Sequence, residues 1–440
     1  DYVLSTNTDI YEYDLTSKKT TNLTEGMMGY DTNPQYSKEG VLAWLSMAHD
    51  GNEADKNDLY ILKDGKRINL TANWDNTVFS YRWSNDGKQI YLIAATQGTE
   101  QVFVLAPFSK DTTPRQLTQG VFDVNSIVGQ AGDQLVLIRT DMNHAAELYT
   151  INLKEKKGRI TLSQLSHFND ELYKGIAECP IKERIIKTTD GKRMHAWVIY
   201  PPNFDPNKKY PTLLYCQGGP QSVVSQFYSF RWNFQVMASQ GYIVIAPNRR
   251  GLPGFGVEWN AQISGDWGGQ PMRDYLSAID DIAKEPYVDK DRLGAVGASY
   301  GGYSIYYLAG IHQKRFKTFI AHCGVFNLES MYGTTEELFF NNNEIGGAYW
   351  EERNAVAQKS YKEFNPIKKI NNWDTPILII HGGKDYRVPE EQGFQAFTAA
   401  QLKGIKSELL YFPDENHWVL QPQNGLLWQR TFFKWLKETL

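Results

Sequence analysis

Cysteine is scarce in this sequence. There are three in 440 residues, Cys179, Cys216 and Cys323, widely spaced, without a CxxC pair, and each beside or inside an apolar run. This excludes a disulfide framework and a cysteine-based zinc module, and the three are read as buried thiols. No metal or cofactor motif occurs elsewhere, so neither is expected. Long apolar runs are also missing: nothing approaches the roughly 18 residues that cross a bilayer, and the chain is read as soluble, without a membrane partner. Neither sign of charge dominates. Forty-six Lys and Arg are interspersed with 50 Asp and Glu for a net charge of −4, which leaves no basic face for nucleic acid and no polybasic tail for a membrane surface. The chain opens with Asp1-Tyr2-Val3, lacking an initiator Met and a leader. It is therefore expected to be an excerpt or a processed product.

Aromatic residues, by contrast, are plentiful, at 12 Trp, 26 Tyr and 21 Phe, a composition that suits β-structure. The length suits two domains of ordinary size. The first part repeats itself. Asn22-Leu23-Thr24, Asn69-Leu70-Thr71 and Gln116-Leu117-Thr118 recur 47 residues apart, and Gln164-Leu165-Ser166 follows 48 later. A second landmark places Tyr36-Ser37 before Val41-Leu42-Ala43-Trp44, and Trp83-Ser84-Asn85-Asp86-Gly87 before Ile90-Tyr91-Leu92-Ile93; a degraded copy lies at Ala131-Gly132-Asp133. A third pairs Ile10-Tyr11, Leu59-Tyr60, Val102-Phe103 and Leu148-Tyr149. Short apolar strands and Asp-Gly turns at this period describe four-stranded propeller blades better than a β-sandwich with accidental similarity. Residues 1 to about 175 then hold some three and a half blades of an all-β propeller. An open half-ring exposes strand edges, so further N-terminal blades are expected in the intact protein.

From about residue 180 to 440 the pattern changes. Ile181 to Thr188 and Met194 to Tyr200, joined through Asp190-Gly191, read as an opening hairpin. Unbroken apolar runs follow at 213–216, 242–245, 293–296, 319–321, 377–380 and 409–412, with helical stretches between, as in 273–282 and 426–440. Such runs mark strands buried on both faces, and so a doubly wound, mostly parallel sheet.

One motif on this sheet carries chemistry. Gly297-Ala298-Ser299-Tyr300-Gly301 joins the strand ending at Val296 to a helical stretch, the context in which a G-x-S-x-G turn holds a serine hydroxyl clear of the backbone. A hydroxyl needs a neighbouring base, and the base an acid to fix its tautomer. In this arrangement the chain order is serine, acid, histidine. Asp385 follows the strand 377–380 and His417 the strand 409–412, so both reach the carboxyl edge where Ser299 sits. His381 and His322 are read as a structural turn residue and a core histidine, and Asp414 and Glu415 as too near His417 in sequence to approach its ring from behind. Oxyanion donors are expected from the Tyr300 N–H and from the Gln217-Gly218-Gly219-Pro220 loop.

Several blocks together resemble the prolyl oligopeptidase family of serine peptidases: Gly297 to Tyr303, Asn248-Arg249-Arg250-Gly251, Gly265-Asp266-Trp267-Gly268-Gly269, His381 to Pro389, and Asn416-His417. The resemblance covers about 180 to 440, and the repeat extends it to the start. It implies an α/β-hydrolase catalytic domain preceded by a β-propeller, with Ser299, Asp385 and His417 as the triad. It also implies an S1 pocket around Val325, Leu328, Met331 and Val388, apolar here and suited to a hydrophobic or small P1 residue. Arg387 matches a position that binds a substrate carbonyl in relatives, with a surface ion pair as its plainer reading. Where some members carry an oxyanion tyrosine this chain has Gln217, which argues against strict post-proline cleavage. The acidic segment Asp50-Gly51-Asn52-Glu53-Ala54-Asp55 offers Glu53, with Asp55, as an anchor for a substrate ammonium; a solvated turn is the alternative. The expected function is release of N-terminal dipeptides from short peptides with a free N terminus. The rivals are an acylaminoacyl peptidase or esterase with the same triad, and a propeller binding module with an inert hydrolase half. Resemblance to bacterial dipeptide-releasing members suggests a periplasmic or secreted location and leaves room for a homodimer.

Overall fold

Residues 3–155 and 161–440 are described by the computed structural model. The chain divides into two compact units: Asp1–Ile176 with Ser225–Tyr228 and Pro253–Ala261, and Ala177–Val224 with Ser229–Leu252 and Gln262–Leu440. Two short segments from the second half of the sequence thus belong to the first unit. Polar anchors explain this: Ser225 Oγ donates to Asp123 Oδ2 at 2.6 Å, and the Val257 N–H to Asp75 Oδ1 at 2.8 Å.

The strands of the first unit pair antiparallel, and one isolated bridge, Thr8 to Tyr30, is parallel. Tyr11–Tyr13 (β1) and Thr20–Asn22 (β2) pair alone. Three four-stranded sheets follow in chain order. The first comprises Asp31–Tyr36 (β3), Leu42–Ser46 (β4), Asp58–Lys63 (β5) and Lys66–Asn69 (β6). Next come Ser80–Trp83 (β7), Ile90–Thr96 (β8), Thr99–Leu105 (β9) and Arg115–Gln116 (β10). The third holds Asp123–Ala131 (β11), Gln134–Asp141 (β12), His144–Asn152 (β13) and Leu162–Gln164 (β14). Because side chains alternate along a strand, the first and second of these sheets each feed two cores. On β4, Ala43 and Leu45 pack with Ile90, Leu92 and Ala94 of β8, whereas Leu42 and Trp44 pack with Ile10. On β8, Tyr91 and Ile93 turn the other way, towards Leu135 and Leu137 of β12.

The repeated Asn/Gln-Leu-Thr/Ser triplet has a structural cause. Its hydroxyl accepts the N–H of a residue at or beside the strand with which the outer strand pairs: Thr24 from Ile10, Thr71 from Leu59, Thr118 from Val102 and Ser166 from Leu148, at 2.9, 3.0, 2.9 and 2.7 Å. The same hydroxyls donate to Asp9, Asp58, Gln101 and Glu147. Each triplet therefore clamps an outer strand whose ladder is only two to four residues long.

The second unit is built on one eight-stranded sheet: Ile181–Lys187 (β15), Arg193–Ile199 (β16), Tyr210–Cys216 (β17), Ile243–Pro247 (β18), Val288–Ala298 (β19), Thr318–His322 (β20), Ile377–Gly382 (β21) and Ser407–Phe412 (β22). The spatial order is β15-β16-β18-β17-β19-β20-β21-β22. β15 to β16 and β16 to β18 are antiparallel, and every other pair is parallel. Strands β18, β20 and β21 are buried along their whole length, as strands covered on both faces must be. The helix Pro422–Thr439 closes the chain and buries Trp428, Phe432 and Trp435.

Candidate active site

Ser299 stands between β19 and the helix Tyr300–Ala309, with φ 60° and ψ −121°. This conformation costs a non-glycine residue about 1–3 kcal/mol. The glycines around it make it possible. A Cβ on Gly301 would lie 2.1 Å from the carbonyl oxygen of Cys216, and one on Gly297 2.7 Å from the same atom. The Ser299 N–H donates to His322 O at 3.0 Å. The turn therefore holds its half-buried side chain at the carboxyl edge of the sheet.

Asp385 lies three residues beyond β21 and is buried. Its Oδ1 accepts the backbone N–H groups of Arg387 and Val388 at 3.1 and 2.9 Å, which leaves Oδ2 to take Nδ1–H of His417 at 2.7 Å. That bond fixes the tautomer of His417 with its Nε2 lone pair free. Below the acid, His381 donates from Nε2 to Val388 O at 2.8 Å and so braces the loop. His417 is held by its own loop: Glu415, also buried, accepts the N–H groups of Leu420 and Gln421 and the Asn424 amide. Asp414 is instead a surface residue paired with Lys384.

Among the described residues Ser299 Oγ makes no hydrogen bond, and Nε2 of His417 faces Cys323 Sγ at 3.9 Å. Nucleophile-to-base contacts in ligand-free enzymes are often long and tighten on substrate binding. The protonation of His417 is contested by its surroundings. Burial disfavours the imidazolium, while the Cys323 sulfur and the hydrogen-bonded Asp385 favour it, and the balance lies above the ordinary value of 6.5.

The loop after β17 closes on Ser299. A Cβ on Gly218 would sit 2.9 Å from Ala298 O and 3.4 Å from Ser299 Cβ, so only glycine permits this approach. The Gln217 amide is occupied, its Oε1 accepting from Tyr215 Oη at 2.7 Å. Gly219 adopts φ 116°. Tyr300 opens its helix, where first-turn N–H groups lack intrahelical acceptors. Its side chain points away from this edge, donating to Trp267 O at 2.7 Å.

Two buried charged groups hold that loop, and sequence reasoning gave neither a role. Arg249 donates to Pro220 O at 2.8 Å, Gln217 O at 3.1 Å and Tyr275 Oη at 3.0 Å, with its guanidinium 4.5 Å from the Tyr300 ring. Glu344 accepts from Gln221, Ser264 and Trp267 at 2.9, 2.8 and 3.0 Å. The blocks Asn248 to Gly251 and Gly265 to Gly269 thus fasten the loop to the elbow. Arg231 was also passed over. Its Nη1 donates to His417 O and to Nδ1 of His322, both at 3.3 Å. His322, fully buried, accepts Trp428 Nε1–H on the same nitrogen at 3.1 Å; burial first, and then the Arg231 charge, hold it well below the usual histidine range.

The remaining candidates divide between the units. Val325, Leu328, Met331 and Val388 are buried apolar residues of the second unit. Arg387 pairs with Glu337 at 2.6 Å and lies 5.4 Å from the Trp418 ring. Glu53 and Asp55 belong to the first unit, on the turn before β5. There Asp55 accepts the N–H groups of Ala48, His49 and Lys56 and contacts His49 Nδ1 at 2.8 Å, which fills its carboxylate. No helix among the described residues is long and apolar enough to cross a membrane.

Known proteins supply further context. Residues 228–440 match the model of the prolyl oligopeptidase family. Dipeptidyl-peptidase 5 of Porphyromonas gingivalis is 51% identical over 442 residues, covering 100% of this chain and 64% of the relative. Dipeptidyl-peptidase 5 of Schizosaccharomyces pombe is 33% identical over 98% of this chain and 62% of the relative. The chain thus spans less than two thirds of these relatives. Among solved structures, Pyrococcus horikoshii acylaminoacyl peptidase superposes with a TM-score of 0.84 at 21% identity, over 98% of this chain and 66% of that one. Porphyromonas gingivalis dipeptidyl peptidase 4 does so with a TM-score of 0.74 at 20% identity, over 98% and 60%.

Proposed function

Residues 228–440 belong to the prolyl oligopeptidase family, and from that premise we propose that the protein is a serine exopeptidase releasing N-terminal dipeptides from oligopeptides through an acyl-enzyme. The observation that carries this reading is Asp385, locked by two backbone N–H groups and bonded at 2.7 Å to the imidazole of His417, at the sheet edge that also bears the Ser299 turn. Ser299 Oγ attacks the scissile carbonyl carbon while its proton passes to His417 Nε2, and the carbonyl π pair moves onto oxygen. The N–H of Tyr300 and the loop of Gln217 and Gly219 receive that oxyanion, each donor worth about 2.7–4 kcal/mol. Collapse expels the peptide amine, which takes the proton from Nε2 and leaves a dipeptidyl ester on Ser299. Water, deprotonated by the same nitrogen, then frees the dipeptide and restores the serine.

Val325, Leu328, Met331 and Val388 supply the S1 wall, which favours a hydrophobic or small P1 side chain. Arg387 is assigned to a substrate carbonyl, its guanidinium steadied by Glu337. The substrate ammonium is assigned to Glu53, with Asp55 beside it. The stacked sheets of the first unit are assigned to a β-propeller, and a periplasmic or secreted location is part of the same proposal, suggested by the resemblance to bacterial dipeptide-releasing members. Chromogenic dipeptides with free and acetylated N termini, presented to the protein and to Ser299→Ala, test the proposal. Free dipeptides are cleaved by the unmodified protein, and Ser299→Ala loses about 10⁴-fold or more. Cleavage of the acetylated set alone would move the activity to that of an acylaminoacyl peptidase.

A further inference from the structure

Cys323 occupies an unusual position. It follows β20 with φ 41°, a value rare for a side-chain-bearing residue, and its N–H donates to Ile380 O at 2.8 Å. Its sulfur lies 3.9 Å from His417 Nε2 and 3.6 Å from His417 O. Both side chains are more than nine-tenths buried, Cys323 being 0% and His417 6% exposed. Nε2 has no nitrogen or oxygen partner among the described residues, and behind the ring Asp385 keeps Nδ1 engaged at 2.7 Å. A metal-donor atom from each of Cys323, His417 and Asp385 lies within 4.8 Å of the others.

We propose that Cys323 Sγ and His417 Nε2 form an inhibitory site for a borderline-soft divalent cation, Zn²⁺ above all, with Asp385 as the carboxylate that orients the ligating imidazole. The dimensions suit such an ion. Zinc binds thiolate at about 2.3 Å and imidazole at about 2.0 Å, so one ion bridges the 3.9 Å gap with a bent S–Zn–N angle and a shift of a few tenths of an ångström. A carboxylate hydrogen-bonded to the far nitrogen of the ligating imidazole recurs in protein zinc sites. Asp385 stays on Nδ1, so the protein supplies two ligands and water the rest, and binding is weaker than at a four-ligand structural site. On ligation the Cys323 thiol releases one proton to solvent, a protonated His417 releases the proton on Nε2 as well, and the Nε2 lone pair that would receive the Ser299 proton passes to the metal. Because both donors are buried, onset is slow. This inference departs from the expectation of three buried thiols without a metal site, and its inhibitory half rests on the peptidase reading above.

The test uses Co²⁺ as a coloured substitute for zinc, and Zn²⁺ itself as inhibitor. Co²⁺ should give a thiolate-to-metal charge-transfer band with unmodified protein and with Ser299→Ala, and none with Cys323→Ala or Cys323→Ser, in which Cys179 and Cys216 remain. Zn²⁺ should inhibit dipeptide hydrolysis with slow onset, reversed by EDTA, at a half-inhibiting concentration at least about tenfold lower than in the folded Cys323 variants. A band that survives removal of Cys323, or equal zinc sensitivity in the variants, overturns the site. A band in Ser299→Ala alongside no hydrolysis by unmodified protein would support the metal site and sink the peptidase reading instead.

Discussion

His417 has to be neutral to accept a proton, yet two of its neighbours favour the charged form. Burial works against the imidazolium, and the Cys323 sulfur and the Asp385 carboxylate more than offset it, so the ring stays protonated to a higher pH than a free histidine. The sign follows directly. Activity should appear as pH rises, and the acidic limb of the kcat/KM profile should lie above the ordinary 6.5. Cys323→Ala removes one raising influence and leaves Asp385 in place, so its limb should move to lower pH. A limb that stays where it was would mean that the sulfur does not act on the ring. Arg231 has a different part, since its bond to His417 O steadies the loop and not the ring nitrogens.

At the level of elements, the repeat in the first unit is a hydrogen-bonding device before it is a hydrophobic one. Thr71, 1% exposed, accepts from the Leu59 N–H and donates to Asp58 at 2.6 Å. Thr71→Val keeps the shape, leaves the Leu59 N–H unsatisfied and takes one donor from Asp58, which keeps Lys56 and Asn69; this should cost about 1–3 kcal/mol in urea unfolding. Thr71→Ser should recover most of it, and an unchanged midpoint would refute the clamp. The second landmark has a similar origin. Ser37 and Ser84 accept the N–H groups of Val41 and Gln89 across their turns. The copy at Ala131-Gly132-Asp133 lacks a serine and turns tightly, with Gly132 at φ 59°. That is why it was hard to recognise. The short outer strands were the least legible elements. β10 has two residues and no apolar alternation of its own, and only its triplet betrayed it.

Across the whole molecule, legibility followed distance along the chain. The places of Ser299, Asp385 and His417 stood out because each lies just beyond an apolar strand, and local sequence alone marks that position. The groups that hold them could not be read so. Arg249 meets Gln217 32 residues away, Glu344 meets Gln221 across 123, and Arg231 meets His417 across 186. A buried Arg or Glu without an adjoining motif looks in sequence like any surface charge. Cys323 was recognised as buried, but the packing of β20 against β21, which brings it to the histidine, was invisible. That the segments Ser225–Tyr228 and Pro253–Ala261 belong to the first unit was not legible for the same reason, because their partners Asp123 and Asp75 lie more than 100 residues upstream.

The account rests on Ser299 being activated by a histidine that Asp385 aims. Labelling with a fluorophosphonate, followed by peptide mass spectrometry, tests this most directly. The predicted result is one phosphonyl group per chain, on Ser299, forming about 10³-fold or more slower in His417→Ala. Modification at another residue, or an undiminished rate in that variant, would contradict it.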